Sequence, residues 1–354
     1  VPSPETCWYR NKMEFSFSNR SWIERLDGDS KERCKSEPLA LGLHVRRSFE
    51  PVLNIEDCFL ESPRAVEVLK GVREWCRETG LPAYSTRTHQ GFWRFLVIRE
   101  GKRSGQMLVN LMTTSQGDYS GVVERLANRL CTAFPHITTF IHSITDRKAQ
   151  VAASDFSRIL MGPGFIEDRL GPLHYRISPE SFFQTNPLAA EQLYSAILQL
   201  GEFTGRETVW DLYCGTGSIA LFIAAQVQRV VGFEVSEEAV RDAYENCGLN
   251  RIDNCTFVSG DIKNRITGVC SSLSRDCRPD VVITDPPRAG MHPHVLKALI
   301  EADPSRIIAV SCNPATLARD LVVLLDHYQV ETIQPFDLFP HTPHIECLVK
   351  LKRK

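Results

Sequence analysis

No stretch of the chain is apolar for long enough to cross a bilayer. The longest such run lies within Ile219–Val227, far short of the ~18–20 residues of a helical span, so a soluble protein is expected. An excess of charge of one sign is missing too. Lys and Arg number 41 against 43 Asp and Glu, for a net charge of −2. That excludes a protein that grips polyanions by bulk charge, and leaves only local patches to meet nucleic acid. Among 12 cysteines there is no C-x-x-C pair. Pairs such as Cys247/Cys255 and Cys270/Cys277 are spaced too widely for a zinc ribbon. In a chain of 354 residues they do not read as a disulfide framework either. Most should be reduced, buried and small. No charged-then-apolar leader comes before Trp8-Tyr9-Arg10, and the first residue is Val1. We therefore expect a cytoplasmic chain that has been truncated or processed. Repeats and low-complexity tracts are absent. What is present, 43% apolar and 24% charged residues, excludes a disordered or collagen-like polymer and suffices for about two domains.

The two halves differ in rhythm. Residues 1–180 hold 25 Lys and Arg against 22 Asp and Glu, while 181–354 hold 16 against 21. In the first half, Lys12–Phe17, Phe92–Arg99 and Gly105–Met112 alternate as strands. An amphipathic helix is expected over Ser62–Thr79, with Ala65, Val68, Leu69, Val72 and Trp75-Cys76 on one face, and a second near Tyr119–Ala133. In the second half Asn186-Pro187 opens a helix. Strands and helices then alternate. Strands are read at Thr208–Tyr213, Arg229–Val235, Thr256–Ser259, Pro279–Thr284 and Arg306–Ser311, and helices at Ser218–Gln226, Glu237–Cys247, Pro293–Ala302 and Pro314–Leu325. Repeated β-α units imply a doubly wound parallel sheet. The last two strands, Val330–Leu338 and Ile345–Lys350, have no helix between them and imply an antiparallel hairpin.

Three segments carry chemistry. Asp211-Leu-Tyr-Cys-Gly215-Thr-Gly217 sits between a strand and a helix, where glycines admit a ligand close to the backbone. Glu234, on the next strand, suits a ribose diol. NAD and S-adenosylmethionine both fit that pattern. Asp211 before the glycines favours a cationic methionine group over a pyrophosphate, as does Asp285-Pro-Pro-Arg288 after the fourth strand. The second segment is Ser311-Cys312-Asn313-Pro314. Cys312 ends a strand just before a helix whose N-terminus should lower its thiol pKa, and a thiolate is what nucleophilic catalysis needs. Most of the other cysteines are read as core residues. The third segment is Pro340-His-Thr-Pro-His344-Ile345-Glu346. Glu346 is either a solvated strand end or a general base. His341 and His344 lack a further partner, so no metal site is expected.

Together with Tyr9-Arg-Asn-Lys-Met-Glu-Phe15, Phe182-Phe-Gln184-Thr-Asn186 and Ser311–Asp320, these motifs run in one order over nearly the whole chain. In that order the chain resembles the RNA 5-methyluridine methyltransferases, and the Ser311–Asp320 motif resembles more closely the members acting on large-subunit ribosomal RNA. The resemblance implies an α/β chain. Its C-terminal part, 181–354, would be a Rossmann-like class I methyltransferase domain, and an α+β RNA-binding domain over 1–180 would precede it. It implies S-adenosylmethionine as cosubstrate, contacted by Gln184, Tyr213, Ser218, Glu234, Asp261 and Asp285. Ser218 departs from an asparagine of some relatives. Cys312 would add to C6 of a uracil, Glu346 would later remove the C5 proton, and Phe182 would pack near the flipped-out base. Family members often have an N-terminal barrel and a cysteine triplet that binds an iron–sulfur cluster with a fourth cysteine. Cys58 matches that fourth position alone, so a 4Fe-4S cluster is not expected here. The chain is expected to work as a monomer on RNA and away from membranes.

Other readings are a uracil-C5 methyltransferase of tRNA, an N-methyltransferase, an RNA-binding module without catalysis, and an NAD-linked oxidoreductase. Arg288 stands where an N-methyltransferase has an aromatic residue. The presence of Cys312 and Glu346 argues against an inactive module, and Asp211 with Asp285-Pro286 argues against NAD.

Overall fold

The computed structural model describes residues 1–22, 34–45, 50–117, 119, 121–262, 264 and 278–354. Cys270 and Cys277 lie outside the described residues. Two compact units emerge. One comprises Cys7–Asp168 and Ser178–Glu180, the other Val1–Thr6, Arg169–Ile177 and Ser181–Lys354.

The first unit is a mixed sheet of β1 (Lys12–Trp22), β2 (Cys34–His44), β3 (Val52–Asn54), β4 (Trp93–Glu100), β5 (Met107–Thr113), β6 (Ile137–Ile144) and β7 (Phe156–Met161). Its spatial order is β2-β3-β1-β4-β5-β6-β7, and β5 and β6 run parallel. Helices α1 (Pro63–Glu78) and α2 (Val122–Ala133) pack on it. Ser62 caps α1 by accepting the amide of Ala65, and Pro63 fills a first-turn position whose N–H would go unused. The expected stripe, Ala65, Val68, Leu69, Val72 and Cys76, is buried against Phe15, Leu96 and Val109 of the sheet. Each larger side chain there contributes roughly 1.5–3 kcal/mol before entropy is charged against it. Cys58 is half-buried, and its sulfur accepts the amides of Leu60 and Glu61 at 3.4 Å.

β8 (Ile166–Leu170) and β9 (Leu173–Ile177) pair as a hairpin. The second unit then alternates α3 (Pro187–Gly201), β10 (Thr208–Leu212), α4 (Ser218–Ile223), β11 (Arg229–Glu234), α5 (Glu237–Asn250), β12 (Cys255–Ser259), β13 (Val281–Thr284), α6 (Pro293–Ala302), β14 (Arg306–Ser311), α7 (Pro314–Leu324), β15 (Tyr328–Phe336) and β16 (Glu346–Arg353). The sheet order is β12-β11-β10-β13-β14-β16-β15. The first five strands are parallel. β16 is antiparallel to both its neighbours. This is the expected Rossmann-like sheet, with the last hairpin inserted so that its second strand lies beside β14. β10 and β13 are buried along their whole length, as strands covered on both faces must be.

Register decides where the motifs go. Leu212 pairs with Phe233 on one side and Thr284 on the other. Thr284 pairs with Ala309, and Ser311 with Cys347. Tyr213, Glu234, Asp285 and Cys312 therefore all leave the sheet at one edge, the carboxyl ends of the parallel strands. Glu346, one residue before Cys347 on an antiparallel neighbour, arrives at the same edge. No described helix is long and apolar enough to cross a membrane.

Candidate active site

The glycine loop after β10 is held open by backbone geometry. Tyr213, Gly215 and Gly217 have φ of 65°, 53° and 76°. A side chain at Gly217 would strike Leu221 and Phe257, whereas at Gly215 the nearest atoms, both of Phe182, lie 3.8 and 4.0 Å away. Gly217 is thus needed for packing, while Gly215 borders open space. Glu234 braces this loop: one carboxylate oxygen accepts the Gly215 amide at 3.0 Å and the other the Ser236 amide at 2.9 Å. The Phe182-Phe-Gln184 strip runs alongside. The Phe182 carbonyl accepts the Thr216 hydroxyl at 3.3 Å, and its ring is 61% exposed, whereas Phe183 is buried against Tyr175.

Asp211 anchors the helix that follows the loop. It is wholly buried, and one oxygen accepts the Ala220 amide at 3.1 Å, pinning the first turn of α4. Its other oxygen has no hydrogen-bond partner. Burial, followed by the nearby Asp285 and Glu234, holds the Asp211 carboxyl well above the usual carboxylate range. Burial likewise pushes Asp285 up to about 6, against a hydrogen bond from Gln184 at 3.4 Å. Ser218 directs its hydroxyl at Tyr194, 2.9 Å away, so it braces α3 against α4. Tyr213 is pushed up to about 12 by burial and by the neighbouring Asp320 and Asp261, which places Asp261 on the same rim.

Glu346 is not a solvated strand end. It is 2% exposed, with one oxygen unpartnered. Burial and then Asp285 raise its pKa to about 9, and Arg288 acts in the opposite direction. The expectation of a lowered Cys312 thiol is reversed. Burial, Glu346 and Asp285 push it up, and Arg288 pulls it down. Asn313 caps α7 as anticipated, accepting the Ala315 amide, but the end of a helix is outweighed by two carboxyl groups in a partly dehydrated cleft. Cys312, Glu346, Asp285 and Gln184 thus form one cluster, with Asp211 and Glu234 joined to it through Asp285 and the loop.

Two participants were not anticipated. Arg288 entered the sequence reading only as the residue that is not aromatic, though a lone cation in Asp285-Pro-Pro-Arg288 was the available signal. Tyr194, buried on α3, faces the acid cluster and gave no signal beyond its place on an apolar helix face. Among the described residues no group of three or more His, Cys, Asp or Glu is arranged to hold an ion.

A raised carboxyl makes the fold pH-sensitive. Glu346 favours its neutral form in the native state, so its stabilising contribution is present below the ordinary value of 4.5 and is lost as pH climbs towards about 9. The Glu346→Gln variant has no such proton. Its stability relative to wild type should therefore rise across that window, by at most about 1.4 kcal/mol per pH unit, and its melting temperature with it. A constant difference between pH 5 and 9 in thermal melts would contradict the buried, neutral carboxyl.

This strand order, with its glycine loop and acids at the carboxyl ends, defines a Rossmann-like methyltransferase domain. The family model described as tRNA (uracil-5-)-methyltransferase matches residues 149–354. An uncharacterized RNA methyltransferase of Chlorobaculum tepidum is 39% identical over 100% of this chain and 73% of its own length, and one of Nitratidesulfovibrio vulgaris is 38% identical over 100% and 72%. A solved relative is the Pyrococcus abyssi tRNA (uracil-54, C5)-methyltransferase in complex with S-adenosyl-L-homocysteine. It is 29% identical with a TM-score of 0.77, over 99% of this chain and 78% of that one. The chain belongs to the tRNA (uracil-5-)-methyltransferase family.

Proposed function

We propose that the protein uses S-adenosylmethionine to convert a uridine in RNA to 5-methyluridine. The observation that carries this reading is the meeting of a cysteine and a buried carboxyl at one sheet edge, Cys312 from β14 and Glu346 from β16, with Asp285 and Arg288 beside them.

The site fits a sulfonium. Burial and then Asp285 raise the carboxyl pKa of both Asp211 and Glu346, and each of these two leaves a buried oxygen unpartnered. A cation relieves that repulsion, whereas a pyrophosphate adds to it. Gln184, Glu234, Asp261, Asp285 and Tyr213 would hold the cosubstrate along the glycine loop, with Ser218 supporting from behind through Tyr194. The cosubstrate supplies an electrophilic methyl group. The remaining chemistry belongs to this chain. C5 of uracil is a poor nucleophile. Attack of the Cys312 sulfur on C6 forms an S–C6 bond, breaks the C5=C6 double bond and leaves C5 enolate-like and able to take the methyl. Glu346 then removes the C5 proton, the double bond re-forms, and the thiolate leaves. Arg288 stabilises the thiolate at both ends of the cycle. The exposed ring of Phe182 suits packing against a base taken out of its stack.

The first unit, whose part of the sequence is slightly basic, would grip the RNA. Large-subunit ribosomal RNA is the preferred substrate, on the Ser311–Asp320 motif. The solved relative, named for a tRNA uridine, keeps tRNA as the second reading. Mapping 5-methyluridine in both RNAs from cells with and without the gene tests this. Loss of one site in large-subunit ribosomal RNA is expected, and a loss in tRNA instead would transfer the activity there. Unchanged 5-methyluridine in both would refute the proposal.

A further inference from the structure

The loop carrying Asp285 and Arg288 does not stand alone. It is fastened to α7, the helix that follows Cys312. The Arg288 carbonyl accepts from the Asn313 side-chain amide at 3.1 Å and from the Thr316 hydroxyl at 3.3 Å. Further along, Asp320, 2% exposed, accepts the Met291 amide at 2.7 Å through one oxygen. Its other oxygen takes Nε and Nη2 of Arg319 at 2.9 and 2.7 Å. Arg319 Nη2 also reaches the carbonyls of Ala289 and Met291 at 3.0 and 3.4 Å. Gly290 crosses this pair with φ of 79°, and a Cβ there would lie 2.4 Å from Arg319 Nη2 and 2.7 Å from Asp320 Oδ2.

We infer that Arg319 and Asp320 are positioning residues that hold the loop carrying Asp285 and Arg288 beside Cys312. Neither touches the thiol. Together they engage the Ala289 carbonyl and the amide and carbonyl of Met291, so the loop after β13 and the helix after β14 move as one piece. A planar guanidinium with several fixed donors suits this bracing role, and a carboxylate that accepts a backbone amide while paired is satisfied despite its burial. The two motifs Asp285–Gly290 and Ser311–Asp320 are then halves of one device: the first supplies the cation, the second the nucleophile and the brace that brings the cation to it. The importance of the brace to turnover rests on Cys312 being the nucleophile of the proposed reaction. The geometric part does not.

The test separates the two. Full-length Arg319→Ala and Gly290→Ala proteins are treated with iodoacetamide across a pH series, and alkylation at Cys312 is followed by peptide mass spectrometry. The Arg319 side chain is 55% exposed, so its loss should leave the fold intact by thermal melting. Gly290→Ala attacks the brace from the other side. Both variants should alkylate along a profile displaced to higher pH, because Arg288 no longer draws the thiol down. Methyl transfer should lose kcat by about 10- to 100-fold with KM for RNA little changed, the signature of displaced groups rather than lost binding. Folded variants that both keep the wild-type alkylation profile overturn the inference. Failure of the proposed reaction would show separately, as methyl transfer that survives Cys312→Ala while the alkylation shift in Arg319→Ala persists.

Discussion

Replacing Cys312 with alanine should end methyl transfer, with a loss on the order of 10⁴-fold or more, about 5 kcal/mol of barrier. The size follows from the chemistry. Without the S–C6 bond, C5 of uracil has no enolate character, and the other cysteines described near this edge of the sheet are poor substitutes. Cys214 stands in the neighbouring glycine loop, but it is buried, and burial together with Asp211 and Glu234 pushes its thiol well up. Cys347 is the next residue to Glu346, yet it pairs with Ser311 in the sheet, and burial and Glu346 raise its thiol as well. Cys312 is partly exposed, and the Arg288 guanidinium draws its thiol down. RNA bearing 5-fluorouridine gives a direct readout, because fluorine at C5 cannot leave as a proton does and the covalent complex persists. Wild type with S-adenosylmethionine should yield a protein–RNA band stable to denaturation, and Cys312→Ala none. Full methyl transfer by Cys312→Ala would eliminate the covalent route.

The raised thiol changes what the resting enzyme is. The sequence reading placed Cys312 at a helix start and so expected a thiolate. The fold adds two carboxyl groups, Asp285 and Glu346, whose effect on the sulfur opposes the helix. Local pattern carries the helix end because Asn313 and Pro314 are neighbours of Cys312 in sequence. It cannot carry the carboxyls, which arrive from β13 and β16 through tertiary pairing. The same division runs through the fold. Helix starts at Ser62, Asn186, Ser236 and Asn313 were legible because a side chain caps the turn beside it. The order of strands 208–311 was legible because buried parallel strands read as apolar runs between helices. By contrast β7 is exposed along most of its length, so its residues show no alternation to read. β6 carries Thr, His and Ser among its apolar residues and conceals its period. In the candidate site, the residues at strand ends were found from the rule that ligands gather there. The amide contact of Asp211 to Ala220 was not legible, since it depends on how α4 folds back. The Arg319–Asp320 brace joins positions about a helix turn or more beyond the nucleophile to a loop on another strand, and nothing local marks it.

Glu346→Gln should stop the cycle two steps later than Cys312→Ala. Glutamine has nearly the same shape and hydrogen-bonding reach, so uracil addition and methyl uptake should proceed once per protein. The C5 proton then has no base, and the thiolate cannot be expelled. The expected product is a methylated protein–RNA adduct on ordinary uridine, without fluorine, formed in a single turnover and released about 10²–10⁴-fold more slowly than by wild type. Labelled methyl groups should travel with the protein on a denaturing gel, and Cys312→Ala in the same background should remove them. The pH dependence gives a second check with a definite sign. A base must be ionised, and in the free protein burial and Asp285 hold Glu346 up to about 9. Wild-type turnover should therefore rise with pH up to that region, with the limb moving to lower pH as a bound cation relieves the acid cluster. In Glu346→Gln the adduct-release limb should be flat, while adduct formation still follows the Cys312 thiol. Free, multiple turnover by Glu346→Gln would remove Glu346 from the role of base. The buried carboxyl would then be only the electrostatic partner of Asp285, and the proton would have to leave C5 by way of solvent.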